Sequence, residues 1–237
     1  MGVGSLKTVF IQVRLDSARL PRKALLDLGG KTAIEHTMLS LKKVKADVHV
    51  LLTDEESREE LSLYADKCGF DIFAGPRDDV LKRFVLAAQY YNAGRIIRAC
   101  GDSPLVSWEL AEKIFKRHVE EEADLSGFLG IPLGTGVEVV NTNALVSADR
   151  ESTDVYEHEH VCPFIYRHPE RFRILRPYAF TAGFLREANV TLDTEGDYEY
   201  LVQIFTDLYR DKVINFSELV AWLEQNQPSR ARQTILM

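Results

Sequence analysis

Residues 9–23 read VFIQVRLDSARLPRK, a strand-like run followed directly by a basic loop. The largely apolar start is typical of a buried β-strand, and the proline and polar residues after it are typical of a loop. Of the four cations in residues 14–23, the candidates for phosphate binding are Arg14, Arg19 and Lys23, and Ser17 adds a hydroxyl. Guanidinium groups, an ammonium group and loop amides together can bind phosphate oxygens. The stretch therefore predicts a strand with a phosphate-binding loop, and a solvated basic loop is the alternative.

The first half of the chain alternates strand-like runs with helical patterns. Apolar runs at 48–52, 70–73 and 95–99 predict three further strands, with helices between them. Such alternation predicts an α/β fold with a mainly parallel sheet and helices on both faces. Ligands of these sheets bind beyond the carboxyl ends of the strands. The expected rim of the site comprises residues 14–23, 53–54, 75–79 and 101–102.

The second half of the chain is less regular. Its predicted elements are a loop at 134–136, strands at 137–140, 173–180 and 189–192, a helix at 154–168 interrupted near Pro163, and helices at 198–209 and 216–224. An antiparallel arrangement suits the strand at 173–180. The tail after Pro228 has no hydrophobic period and is predicted to be mobile.

The charge distribution restricts the partners. The 237 residues include 29 Lys and Arg against 36 Asp and Glu, and the net charge of −7 argues against nucleic acid or an anionic membrane as partner. Residues 1–45 nevertheless carry nine basic and three acidic residues, a net +6. This asymmetry indicates either an anion bound near the start of the chain or a solvated basic face.

Targeting signals and cysteines point to one compartment. No apolar run reaches the roughly 18 residues of a membrane span, and the start of the chain does not resemble a signal peptide. Cys68, Cys100 and Cys162 lie far apart, which fits neither a disulfide framework nor a zinc site. We therefore expect a reducing environment, the cytoplasm.

Two aspartates follow predicted strands directly and are candidate metal ligands. Asp102 comes after the strand at 95–99, and Asp193 comes after the strand at 189–192. A carboxylate at a strand end can hold a hard divalent ion against phosphate oxygens. The alternative for Asp102 is a helix cap before Trp108, and taken alone that reading is favoured. Asp193, Thr194 and Asp197 could instead cap the next helix, and for Asp197 the capping role is preferred.

Several familiar motifs are absent from the sequence. The chain contains neither the P-loop pattern nor Gly-x-Gly-x-x-Gly, so a P-loop or dinucleotide site is not expected. Residues 157–160 read EHEH and resemble a metal cluster. Residues two apart on a helix point to different faces, however, so metal binding there is not favoured.

Three motifs in order resemble one known family. The pattern Q-x-R-x-x-S-x-R-L-P-x-K spans 12–23, R-x-x-G-D-x-P spans 98–104, and L-D-T-x-x-D-Y spans 192–198. Together they resemble the cytidylyltransferases, which include the acylneuraminate and 3-deoxy-manno-octulosonate enzymes. The D-D-V-L-x-R of 78–83 and the E-H-V-x-P-x-I of 159–165 are similar to the branch of spore-coat polysaccharide biosynthesis protein F.

The resemblance implies a fold and a reaction. The fold would be that of the nucleotide-diphospho-sugar transferases, a GT-A-like, Rossmann-like three-layer α/β fold with a mixed, mainly parallel sheet. The 237 residues would form one nucleotidyltransferase domain: a nucleotide-binding half at about 6–130, a sugar- and metal-binding half at 131–215, and a C-terminal helix and tail at 216–237. The reaction would transfer CMP from CTP to a sugar or sugar acid with Mg²⁺, release pyrophosphate and serve surface polysaccharide synthesis.

The resemblance also assigns roles to residues. Those implied to bind the nucleotide are Arg14, Ser17, Arg19, Lys23, Gly75, Asp78, Arg98 and Gly101. Those implied to be catalytic are Arg14, Lys23 and Asp102. Asp102 and Asp193 match the family's Mg²⁺ ligands, and Glu138 and His160 lie in segments that face the sugar. A homodimer would use residues 173–180 and the last helices.

One departure from the family leaves alternatives open. Family members often read D-G-x-D-V-E-V where residues 133–139 read LGTGVEV, so two carboxylates are missing. The alternatives are a sugar-phosphate nucleotidyltransferase that uses another base, a glycosyltransferase of related fold, and a catalytically silent nucleotide-binding subunit of a polysaccharide-assembly complex. A glycosyltransferase normally needs Asp-x-Asp, which this chain lacks.

Overall fold

A computed structural model describes residues 6–179, 185 and 187–226. Within them one seven-stranded sheet has the order β3-β2-β1-β4-β6-β5-β7. The strands are β1 Leu6–Gln12, β2 Val48–Thr53, β3 Asp71–Ala74, β4 Ala93–Cys100, β5 Leu125–Gly127, β6 Glu138–Asn141 and β7 Ile174–Leu175. Strand β6 runs antiparallel to β4 and β5, and the other pairs are parallel. The predicted mixed, mainly parallel sheet is confirmed.

Helices cover both faces of the sheet. They are α1 Ala33–Leu41, α2 Glu55–Cys68, α3 Val80–Tyr90, α4 Trp108–Glu120, α5 Thr142–Glu151, α6 Val155–His160, α7 Pro163–Arg167, α8 Glu195–Leu208 and α9 Phe216–Asn226, and a short 3-10 helix spans Lys23–Leu25. The break between α6 and α7 confirms the interruption near Pro163. In the described part of the chain, every helix is too short or too polar to cross a membrane.

Alternation along the central strands builds the three layers. Phe10 and Ile96 point to one face, where they pack with residues of α3 and α5. Their neighbours Val9 and Ile97 point to the other face, among residues of α1, α2 and α4. Adjacent residues of a strand face opposite sides, so a strand buried on both faces reads as a continuous apolar run. A third buried cluster joins Leu28 to residues of α8 and α9.

The helix caps settle one alternative left open by the sequence. The Ser107 hydroxyl caps α4 by accepting a hydrogen bond from the Leu110 amide at 3.1 Å. Thr194 caps α8 in a reciprocal arrangement with Asp197. Asp102 and Asp193 are therefore not the capping residues of these helices, and their carboxylates remain available for other contacts.

Of two strands predicted in the second half, one is shorter than expected and the other does not form. Only Ile174–Leu175 forms a strand within 173–179, and it pairs parallel with β5 rather than antiparallel; Phe180 lies outside the described residues. The apolar run at 189–192 makes a single bridge, between Asn189 and Leu133. Val190 and Leu192 are fully buried against α8 and α9, so their pattern reflects burial in that cluster and not a sheet ladder.

Other elements differ at their boundaries or were not predicted. Helix α8 begins at Glu195 rather than Tyr198, because Thr194 caps it. Strand β5 and helix α5 were not predicted, since a three-residue strand carries too short a pattern to recognise. The tail after Pro228 lies outside the described residues.

Candidate active site

The basic loop predicted from residues 14–23 leaves the carboxyl end of β1 and closes on itself. The Arg22 amide donates to the Leu15 carbonyl at 3.1 Å, and the Leu15 amide donates to the Ser57 hydroxyl at 3.1 Å. Arg22 has a positive φ of 57°, which turns the chain into the short 3-10 helix that begins at Lys23. Ser17 lies half-buried on this loop. The closed loop therefore presents its side chains at the predicted edge of the sheet.

Lys23 brings the two strand-end aspartates together. Its Nζ donates to Asp102 Oδ2 at 2.8 Å and to Asp193 Oδ1 at 2.7 Å. The Lys23 side chain is only 14% exposed. Burial alone would lower the pKa of Lys23, but the two carboxylates raise it, so the ammonium form is favoured. Arg19 Nη2 also donates to Asp193 Oδ1, at 3.0 Å, from a largely exposed position.

Backbone contacts position both carboxylates. The Gly101 amide donates to the Gln12 carbonyl at 2.8 Å, which holds the end of β4 beside β1. The Leu192 amide donates to the Asp102 carbonyl at 2.8 Å, and this bond places Asp193 next to Asp102. A side chain at Gly101 would lie 2.7 Å from Val13 Cβ, so only glycine fits between the strand ends.

The loop that departs from the family pattern supports the segment before Asp193. The Val190 amide donates to the Leu133 carbonyl at 2.8 Å. Gly134 has a φ of 95°, and a Cβ there would meet the Thr191 amide nitrogen at 2.9 Å. Gly134, which matches the glycine of the family pattern, thus allows a close approach of two backbones that any side chain would obstruct.

The carboxylate oxygens that surround the Lys23 ammonium are suitable ligands for a hard divalent cation. Asp102 Oδ2 and Asp193 Oδ1 both bind the same ammonium nitrogen, so the two carboxylates converge on one cationic centre. Carboxylate oxygens are the ligands that Mg²⁺ prefers, usually one or two of them together with phosphate oxygens. Mg²⁺ could therefore be held by Asp102 and Asp193.

A second group of predicted residues lines a cleft of about 420 Å³. The cleft is lined by Arg98, Glu138, Tyr156, His160, Cys162, Pro163, Tyr166 and Arg167. Arg98 on β4 and Glu138 on β6 are cross-strand partners, and the Arg98 guanidinium donates to the Glu138 carboxylate. Arg98 Nε also donates to the Gln12 side-chain carbonyl at 3.0 Å. Arg98 therefore lies with the residues predicted to face the sugar, and its nucleotide-binding role stays a prediction.

Glu138 is held as a carboxylate. Burial alone would raise the pKa of Glu138, but Arg98 and the Tyr166 hydroxyl, which donates to the carboxylate, keep it below its usual range. Burial and the same carboxylate raise the pKa of Tyr166 and of Cys162. Because its oxygens are already bonded, Glu138 is suited to orienting a ligand rather than to accepting a proton.

A tight turn at Val161 shapes the wall of this cleft. Val161 is fully buried with φ 73° and ψ −57°, and the Cys162 amide donates to the His160 carbonyl at 2.9 Å. These values describe a γ-turn with positive φ, which is strained for a β-branched residue. The turn directs both His160 and Cys162 to the cleft, and the His160 ring lies 4.3 Å from the Tyr156 ring. Such strain is commonly retained at functional sites.

Arg14 lies between the two groups of residues. Its guanidinium approaches Asp78 at 4.0 Å and Glu159 at 3.8 Å. Asp78 belongs to the predicted nucleotide turn at 75–79, and its side chain is 90% exposed. Glu159 belongs to α6, which carries His160. Arg14 therefore connects the basic loop with the turn at 75–79 and with α6.

A buried arginine holds the turn at 75–79. Arg83 donates from Nε to the Pro76 carbonyl at 3.0 Å and from Nη2 to the Arg77 carbonyl at 2.9 Å. The Gly75 amide donates to the Thr53 carbonyl at 3.0 Å, and a Cβ at Gly75 would meet Arg83 Cγ at 3.0 Å. Arg83 and Tyr166 were not predicted as site residues. Arg83 could have been noticed because it is a cation within the apolar pattern of α3. The sequence around Tyr166 contains no comparable indication.

The side chains of residues 157–160 contact different parts of the structure. Glu157 is buried against Ser152 and Arg167, whereas His160 faces the cleft. His158 Nδ1 lies 2.8 Å from Asp79 Oδ1 and thereby connects α6 to the cap of α3.

The fold and this site together define the class of the protein. A mainly parallel α/β sheet carries a basic loop after β1 and two converging carboxylates at the same edge, an arrangement suited to a nucleoside triphosphate with a divalent cation. The profile of the cytidylyltransferase family matches residues 8–232. The chain belongs to that family.

Named relatives agree with this assignment. The chain is 31% identical over 227 residues to the spore coat polysaccharide biosynthesis protein SpsF of Bacillus subtilis (strain 168), covering 91% of this chain and 93% of that protein. It is 25% identical to the 3-deoxy-manno-octulosonate cytidylyltransferase of Aeromonas hydrophila, over 75% and 76% of the two chains. A solved cytidylyltransferase from Leptospira borgpetersenii superposes with a TM-score of 0.85 at 25% identity, over 93% and 94%.

Proposed function

We propose that the protein is a Mg²⁺-dependent cytidylyltransferase that transfers CMP from CTP to a hydroxyl of a sugar or sugar acid and releases pyrophosphate. The observation that carries this proposal is the convergence of Asp102 and Asp193 on Lys23, directly beside the basic loop. A triphosphate and a divalent cation need this combination of cations and carboxylates at one edge of the sheet. Membership of the cytidylyltransferase family favours CTP as the nucleotide.

The basic loop would bind the triphosphate and stabilise the leaving group. The acceptor oxygen bonds to the α-phosphorus while the bond from that phosphorus to the pyrophosphate oxygen breaks, and the hydroxyl proton passes to solvent. Negative charge grows on the departing pyrophosphate, where Arg14, Arg19 and Lys23 are positioned to bind it. Ser17 would add a donor to the same phosphates.

Asp102 and Asp193 would hold Mg²⁺ between nucleotide and acceptor. When bound there, the cation would neutralise phosphate charge and lower the pKa of the acceptor hydroxyl. The turn at 75–79, with Gly75 and Asp78, and the strand end at Gly101 would lie along the nucleotide. Arg83 supports this role because it fixes the turn through two carbonyls.

Glu138 and His160 would orient the acceptor sugar. Both line the cleft of about 420 Å³, and Glu159, the neighbour of His160 on α6, approaches Arg14 at 3.8 Å. A carboxylate and an imidazole suit hydroxyl groups, since both form directional hydrogen bonds. Arg98 would fix the Glu138 carboxylate in place while it also borders the nucleotide.

Pyrophosphate release tests the reaction. The purified protein is incubated with Mg²⁺, one of four nucleoside triphosphates, and a panel of neutral sugars and sugar acids that includes 3-deoxy-manno-octulosonate. We expect release with CTP and at least one acceptor, and none when EDTA replaces Mg²⁺. Release with another base alone would contradict the choice of CTP, and no release with any pair would favour a silent nucleotide-binding subunit.

The relatives and the structure also support proposals on the pathway, the compartment and the oligomeric state. Similarity to a spore coat polysaccharide biosynthesis protein supports a role in surface polysaccharide synthesis. The three cysteines are unpaired, in keeping with the reducing cytoplasm. We also propose a homodimer that uses β7 and the last helices; Tyr178, three residues after β7, is 60% exposed. Sedimentation equilibrium tests the dimer, and a monomer at all concentrations would contradict it.

A further inference from the structure

Lys23 occupies the point on which the carboxylates of Asp102 and Asp193 converge. Its ammonium lies 2.8 Å from Asp102 Oδ2 and 2.7 Å from Asp193 Oδ1, and the side chain is 14% exposed. A divalent cation that bridges the two carboxylates would need the same space. Lys23, proposed to bind the triphosphate, and the metal ion, proposed to bind the aspartates, therefore compete for the same carboxylate oxygens.

Electrostatics prevents both cations from sharing the site without a further anion. A divalent cation on these oxygens would lie within a few ångströms of the ammonium. Its repulsion of the ammonium would be twice that of a monovalent cation at the same distance. Partial burial weakens the screening of that repulsion by water. A triphosphate removes the conflict because its oxygens can bind the ammonium and complete the coordination of the metal.

We propose that the Lys23 ammonium and the divalent cation exchange on Asp102 and Asp193, so that Lys23 leaves the carboxylates for the triphosphate as the cation binds. A lysine is suited to this exchange because its flexible stem carries a compact charge with three donors. Arg19 also donates to Asp193 Oδ1, but its side chain is 69% exposed, so water screens its charge more than that of Lys23. This inference rests on the proposed function and adds the order of events to it.

The exchange makes metal and nucleotide binding interdependent. Lys23 weakens metal binding to the protein alone and strengthens binding of the metal–triphosphate pair. By linkage, metal and nucleotide raise each other's affinity by the same factor, in the usual range of about 5- to 150-fold. Loss of the Lys23 charge should therefore change the two affinities in opposite directions.

Mn²⁺ titration followed by electron paramagnetic resonance tests the exchange without any turnover. We compare the wild type, Lys23→Met and a matched control, Lys7→Met, in the absence of nucleotide. Lys7 is 15% exposed and forms a 2.9 Å ion pair with Glu112, away from the site. We expect Lys23→Met to bind Mn²⁺ at least about fivefold more tightly than the wild type, and Lys7→Met to match the wild type.

Two further measurements identify the site and the partner of Lys23. Adding Asp102→Asn to Lys23→Met should abolish the gain in Mn²⁺ affinity. Calorimetry with CTP in EDTA should show weaker CTP binding by Lys23→Met. Lys23→Gln, which retains hydrogen-bonding groups for both carboxylates, replaces Lys23→Met if circular dichroism shows that the methionine variant is unfolded.

The outcomes separate this inference from the proposed function. Equal or weaker Mn²⁺ binding by the uncharged variant overturns the exchange, even when the wild type releases pyrophosphate from CTP. Tighter Mn²⁺ binding that survives Asp102→Asn also overturns it, because the metal then binds elsewhere. Tighter, Asp102-dependent binding without pyrophosphate release supports the exchange and contradicts the proposed reaction.

Discussion

Asp102 and Asp193 come from different halves of the chain, yet both contact one ammonium. If they hold the metal of a nucleotidyl transfer, each Asp→Asn change removes one charged ligand. We expect each variant to lose at least about 10²-fold in kcat, the scale of one lost charge-stabilising group. Pyrophosphate release measures kcat, and circular dichroism checks the fold.

Asp149→Asn is the control for these two variants. Asp149 also forms a 2.8 Å ion pair with a lysine, Lys82, but it lies on α5, outside the predicted rim of the site. We expect it to retain the wild-type kcat. Near-normal turnover by Asp102→Asn or Asp193→Asn would remove that residue from the metal site.

His158 and Asp79 give the protein a pH-dependent contact. Burial alone would lower the pKa of His158, but its hydrogen bond to Asp79 at 2.8 Å raises the pKa above its usual value. A raised pKa in the folded state stabilises the protein below the unfolded pKa of about 6.5, and the contribution is lost as the pH rises through the folded pKa.

Urea unfolding of the wild type and His158→Gln tests this contact. We expect the variant to be less stable at about pH 5.5 by up to about 1 kcal/mol, the scale of a partly exposed ion pair, with a smaller difference at about pH 9. A difference that is the same at both pH values would show that the histidine acts through packing alone.

At the scale of elements, the turn between α6 and α7 should favour glycine over alanine at Val161, which is the reverse of the usual order. Glycine in place of alanine normally destabilises a protein by about 0.5–1 kcal/mol, but a φ of 73° at Val161 favours glycine. We expect Val161→Gly to be at least as stable as Val161→Ala in urea unfolding. Val140, buried in the same cluster on β6, is the control and should show the usual order. The usual order at Val161 would contradict the strained turn.

The junction between β4 and the Asp102 loop has no room for a side chain. An added Cβ at Gly101 would lie 2.7 Å from Val13 Cβ and 2.9 Å from Ile34 Cδ1. We expect Gly101→Ala to destabilise the protein by about 1–3 kcal/mol, the usual cost of overpacking. In Gly196→Ala the nearest atom would be 3.9 Å away, on Thr194, so this helical control should be neutral or stabilising. Equal unfolding midpoints for the two variants would contradict the packing argument.

Most elements could be predicted because their patterns are local. The strands of the first half are apolar runs bounded by turn residues, and α1 begins after Thr32, whose side chain caps it through a bond to the nearby Glu35 amide. The run at 189–192 misled the prediction, since Val190 and Leu192 are buried by α8 and α9 rather than by a sheet. An apolar pattern indicates that a segment is buried, but it does not indicate which element packs against it.

At the scale of the molecule, we propose that the chain folds as one domain. The first two buried clusters share strands β1, β2 and β4, and the third joins Leu28 and Ala33 to α8 and α9. No boundary therefore separates the nucleotide half from the sugar half within the described residues. Scanning calorimetry should show a single transition with equal calorimetric and van't Hoff enthalpies. Two resolved transitions would contradict the single domain.

The sequence by itself determined the family, the mainly parallel sheet and the basic loop, because ordered motifs and hydrophobic periodicity depend on neighbouring residues. Only the tertiary structure decided that Asp102 and Asp193 meet at Lys23 and that Tyr166 bonds Glu138. These contacts depend on how β4, β6 and the segment before α8 lie side by side. That arrangement arises from long-range packing and backbone hydrogen bonds, which no local pattern of residues encodes.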